Sequence, residues 1–132
     1  MEILALLDSS IDDTRVVEYL ESLDHEAAFV VVEDEIHWRS CAVGLDIYIF
    51  GDIRRVKRVV VHSGTGESGA YTGRLPEGID LSMSRIDFRG HFGRPETTSR
   101  NHDFWEIDRF PWMGFAVEYT EDGEVERLIF SS

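Results

Sequence analysis

Polar and apolar positions alternate with a period of two in two well-separated places. Leu45, Ile47 and Ile49 are interleaved with Asp46 and Tyr48, and Phe115, Val117 and Tyr119 with Ala116 and Glu118. Successive side chains of an extended chain point to opposite faces, so this period predicts strands with one buried face. Each strand leads into a turn, Gly51-Asp52 or Asp122-Gly123, and then a second apolar run, Val56–Val61 or Val125–Phe130. Asp-Gly suits a hairpin because glycine tolerates the positive φ that such turns demand. A tryptophan precedes each copy, Trp38 in one and Trp105 in the other, and both read as packing anchors.

Helical spacing precedes each of these meanders. Val16, Leu20 and Leu23 recur at i, i+4 and i+7 behind Asp12 or Asp13, either of which can cap the helix. Phe88 and Phe92 recur at i, i+4 behind Ser82 as the cap, with Gly93 as the stop and Pro95 beyond it. Phe29–Val32 and Ile36–Trp38 add strands to the first half. The expected fold class is therefore α+β, as two tandem helix-plus-antiparallel-sheet repeats with sheets continuous or side by side. A single domain, 1–132, would hold pseudo-repeat 1 at about 8–63, a glycine-rich connector at about 63–78 and pseudo-repeat 2 at about 79–132.

The connector carries Gly64-Thr65-Gly66-Glu67-Ser68-Gly69 directly after Val59-Val60-Val61, which fits the dinucleotide-binding pattern G-x-G-x-x-G. That chemistry needs a helix whose N-terminal amides face a pyrophosphate. Gly73, Pro76 and Gly78 oppose a helix here, so the segment reads as a flexible connector and no cofactor is expected.

Composition narrows the function. With 8 Phe, 4 Tyr and 3 Trp the chain is a folding domain and not an acidic tail. Its 13 basic and 26 acidic residues give a net charge of −13, which repels nucleic acid and favours a basic protein partner. The single Cys41 makes no internal disulfide and, flanked by Ala42 and Val43, reads as an inert small hydrophobe of a strand approach. Without a basic leader or a span of about 18 apolar residues, neither export nor a membrane is expected, and the location expected is cytoplasmic. The five histidines lack ligand spacing and no G-x-S-x-G elbow surrounds Ser63 or Ser68, so no metal, no catalytic residues and no enzyme activity are expected.

Two features suit protein binding. In Arg109-Phe110-Pro111-Trp112-Met113 an indole, a Phe and a Met share a Pro-containing connection between strands, beside an arginine, the composition of an interface hot spot. Glu33, Asp34 and Glu35 form an acidic turn between Val32 and Ile36 that would meet a basic rim. Arg109, Phe110, Trp112, Met113, Glu33, Asp34 and Glu35 are thus the expected partner-binding residues.

Leu81–Glu96, Asp103–Glu106 and Phe115–Val125 together resemble a known repeat. It is shared by the β-lactamase inhibitory protein and the small lipoprotein of the outer-membrane barrel-assembly machine: a short helix ending in hydrophobic-Gly-x-Pro, a Trp-centred strand, then a strand with a Gly turn. Tyr71–Gly78 ahead of it looks like the lead-in of small bacterial proteins of the toxin-immunity type. The resemblance covers about residues 79 to 130, and the first half only through its echo. It implies a fold and a binding role, that of an immunity protein occluding a cognate cytoplasm-acting toxin. The secretion signal and the cysteines of the named relatives have no counterpart here. An assembly or scaffold module is the alternative, and then a small-molecule binder or enzyme built around a deep polar pocket.

Overall fold

The computed structural model describes residues 2–132. Helix α1 (Thr14–Leu23) starts at Asp13, whose carboxylate accepts a hydrogen bond from the Arg15 backbone N–H, and it buries Val16 and Leu20. Strands β1 (Phe29–Val32), β2 (Glu35–Ser40), β3 (Leu45–Phe50) and β4 (Arg55–His62) follow as a meander. Helix α2 (Arg85–Phe92) leads into a second meander of β5 (Thr97–Ser99), β6 (His102–Arg109), β7 (Trp112–Tyr119) and β8 (Val125–Ser131). All eight strands form one antiparallel sheet in the order β1-β2-β3-β4-β8-β7-β6-β5. The last strands of the two meanders pair with each other, so the sheet is continuous.

One face of the sheet carries the core. Trp38, Ile47, Val59, Phe130, Phe115 and Trp105 lie directly opposite one another across six adjacent strands, each no more than 2% exposed. This row begins and ends on tryptophan, and full burial of each large apolar side chain is worth about 1.5–3 kcal/mol. Ile3, Leu6 and Leu7 from the N-terminal turn and Phe88 from α2 pack over it. The apolar start of the chain is thus part of the core.

Three expectations are corrected. Ser84, not Ser82, caps α2: Ser84 and Asp87 form a reciprocal capping box, while Ser82 donates its backbone N–H to Asp80 in a turn before the helix. The glycine-rich segment, expected as a free connector, is held to the sheet at its two ends. Ser63 bridges to Ala70, the Gly69 N–H donates to the Cys41 carbonyl at 2.7 Å, and Tyr71 is buried. The backbones approach so closely that a Cβ on Gly44, at φ +76°, would lie 2.2 Å from the Gly69 oxygen. No helix follows Gly69, only a short 3₁₀ turn at Pro76–Gly78. Cys41, finally, is exposed in the β2–β3 turn and not packed in a strand.

A charged cluster fastens α2 to the β5 edge. Asp103 on β6 is fully buried and faces inward. It accepts hydrogen bonds from Arg85 Nη2 at 2.8 Å, Arg89 Nη2 at 2.9 Å, Thr98 Oγ1 at 2.5 Å and the Tyr119 hydroxyl at 3.2 Å. Burial, the largest single influence, pushes the Asp103 carboxyl up, but the bonds from Arg85, Arg89 and Thr98 together outweigh it. The carboxyl is held well below its ordinary range, and the Tyr119 phenol is pushed well above its own by burial and by the Asp103 charge.

Candidate protein-binding surface

Strands β1, β3 and β6 run toward the same end of the sheet. The β1–β2, β3–β4 and β6–β7 turns therefore emerge side by side there. Five strand spacings, about 24 Å, separate the first turn from the last. This end, with β1 beside it, concentrates the exposed apolar surface. Phe29, Val30, Val31 and Val32 on β1, Phe50 and Ile53 at the β3–β4 turn, and Phe110 and Met113 at the β6–β7 turn are all exposed. Among the described residues the one other exposed large apolar side chain is Ile86 on α2.

At the β1 side these residues border an open recess of about 680 Å³ floored by Val31, Ile36 and Phe50. Its rim is acidic. Glu33 and Asp34 form the two-residue turn and make no ion pair among the described residues, Asp52 faces them, and Glu35 is bonded to His37 at 2.8 Å. An apolar floor with a charged rim is the composition of a protein contact surface, where desolvation of the centre gives affinity and the rim steers the approach.

The β6–β7 turn divides the remaining sequence candidates. Phe110 is 76% exposed and Met113 is 42% exposed. Arg109 is ion-paired with Glu77, which ties the turn to the connector. Trp112 is a correction: it is not a loop side chain but the first residue of β7, 3% exposed. Its ring centroid lies 5.5 Å from that of Phe130, 5.8 Å from Phe115 and 6.1 Å from Phe92, and its Nε1 donates to the Gly114 carbonyl at 3.1 Å. A tryptophan so enclosed contributes to stability and offers a partner nothing. The structure brings Glu33, Asp34, Glu35, Arg109, Phe110 and Met113 to one end, together with β1, Phe50 and Ile53, which the sequence reading did not single out.

The opposite face of the sheet is not covered by a helix. Beside its centre a polar recess of about 590 Å³ lies over Val60 and Ile129, walled by Gly66–Ser68 of the connector. Ion pairs and arginine–tyrosine contacts line it. His62 is 2.9 Å from Asp46, Arg127 is 3.1 Å from Glu118, Arg39 donates to the Tyr48 hydroxyl, and Arg58 lies over the Tyr48 ring.

Among the described residues no three His, Cys, Asp or Glu side chains converge to hold a metal ion, and no helix is long and apolar enough to cross a membrane. No protein-family model matches the chain, and no curated protein or solved structure is found similar to it.

Proposed function

We propose that the chain is a protein-binding inhibitor of the immunity type, which neutralises a basic, cytoplasm-acting bacterial toxin by covering its active site or surface. On this reading the helix-then-four-strands order of each half reflects two tandem repeats, similar to those of the β-lactamase inhibitory protein. One observation carries it: the exposed apolar side chains gather at one end of the sheet and along β1, beside Glu33, Asp34 and Asp52. Monomers rarely leave such a patch without a use. The net charge of −13 supports steering of a cationic partner, and the end of the sheet is long enough for one side of a standard interface of about 1,600 Å² in total.

Co-expression with the product of the adjacent gene tests the reading. That product alone should arrest bacterial growth, and this chain should relieve the arrest and co-purify with it. Glu33→Lys with Asp34→Lys should slow association by on the order of tenfold at low salt and much less at high salt. Growth arrest that persists beside an equimolar amount of folded chain contradicts inhibition. A stable complex without any arrest to relieve favours an assembly module instead.

A further inference from the structure

Resting on the protein-binding reading, we infer that β1 captures an extended, basic segment of the partner as an added strand. The chemistry lies in the backbone as much as in the side chains. β1 is the end strand of the sheet, and Val32↔Glu35 closes its two-residue turn. In antiparallel pairing the backbone groups of alternate residues face the neighbouring strand. Those of Val30 and Val32 are directed to β2, and those of Phe29 and Val31 are directed out of the sheet. Natural sheets block an open edge with charges, proline, bulges or a covering element. β1 has none of these: its four residues are apolar, between 39% and 74% exposed, and absent from the core cluster. An open apolar edge with no share in the core is suited to strand addition, in which main-chain hydrogen bonds give affinity and flanking side chains give selectivity.

Charge selects the occupant. A strand laid along Phe29–Val32 passes Glu33 and Asp34 at the turn and Glu26 at the other end, so lysine or arginine among its apolar residues finds a counter-charge at either end. A second copy of the chain fits badly. Self-pairing brings Glu26, Glu33 and Asp34 of both copies to one edge, and each copy carries a net charge of −13.

The test uses the full chain and a short synthetic peptide alternating lysine and valine. The peptide should bind and slow amide exchange at Phe29 and Val31, while its glutamate-valine counterpart should not bind. A version N-methylated throughout keeps the charge but loses the main-chain donors, and it should lose binding altogether. Val31→Lys, at an exposed position, should weaken binding at least about tenfold without unfolding the chain. Equal binding of the N-methylated peptide, or no protection at Phe29 and Val31, overturns strand addition. A concentration-dependent dimer with those amides already protected replaces the peptide by a second copy and overturns it too. Val31→Lys that still relieves growth arrest in full refutes strand addition and leaves inhibition standing. Loss of relief by the unaltered chain refutes inhibition, and the peptide results still decide how β1 pairs.

Discussion

At one edge of the sheet β1 offers Phe29, Val30, Val31 and Val32, exposed and outside the core. At the other edge β5 offers Thr97, Thr98 and Ser99, three short polar residues bound to the fold from behind. Arg85 donates to the Thr98 hydroxyl at 2.9 Å and to the Arg100 carbonyl at 2.7 Å, while Thr98 itself donates to the buried Asp103. Each is the first strand of its meander and follows that meander's helix. The same place in the plan is thus finished in two ways. β5 is protected by polarity and a charged clamp, and β1, nearly as short, by neither. Since the second half resolves the edge problem with ordinary residues, the exposed valines of the first are not imposed by the architecture.

The sharpest test of this contrast is stability. Arg85→Ala removes a guanidinium that donates to both oxygens of a fully buried carboxylate and leaves Asp103 to Arg89, Thr98 and Tyr119. Losing these charge-assisted hydrogen bonds while a second arginine still neutralises the carboxylate should cost about 1.5–3 kcal/mol, read by urea unfolding. A change of the same boldness at β1, Val31→Lys, should cost less than about 0.5 kcal/mol because the side chain is 74% exposed and the charge stays in water. Equal losses at the two edges would show that β1 bears on the fold after all.

Acid should separate the edges next. The folded-state pKa of Asp103 lies below its unfolded value, so its contribution is complete above about pH 5 and fades as pH falls through the ordinary carboxylate range. Asp13, lowered by the Arg15 hydrogen bond, and Asp24, lowered by the Ser40 hydroxyl, have the same sign but sit in exposed surroundings. The stability difference between the natural chain and Asp103→Asn should therefore shrink between about pH 6 and about pH 3. Amide exchange in β5 and β6 should accelerate before that in β3 and β4. A difference that holds constant across the range would mean the clamp works through packing and not through charge.

Much of this fold could be read from the residues, and the failures have physical causes. Alternation in β3 and β7 placed Ile47 and Phe115 correctly in the core row, and the two tryptophans at its ends are anchors as expected. The alternation of Phe115 and Val117 would turn Met113 inward and Trp112 outward. The β6–β7 pairing is irregular between Glu106 and Arg109, and Trp112 enters the core instead. Ser82 and Ser84 are equal as caps by residue type; only an acid three residues after Ser84 distinguishes them. The exposure of β1 is a tertiary fact, since an apolar run looks the same whether or not a helix lies over it. A comparison with the polar Thr97–Ser99 would have exposed the asymmetry. Arg85 and Arg89, four apart on one helix face, were the available sign of the buried Asp103.

The smallest effect on the fold carries the most information about β1. Val31→Thr gives this edge the chemistry of β5 while keeping a β-branched side chain, so the strand propensity is nearly unchanged. The side chain is mostly in water, and stability should move by less than about 0.5 kcal/mol, within the range of ordinary surface substitutions. The solution behaviour should move much more: light scattering on warming should show later association, because a polar edge is a poorer template for another strand. If Val31→Thr aggregates as readily as the natural chain, the sticky surface lies elsewhere, and Phe110, 76% exposed at the far turn, is the next residue to replace.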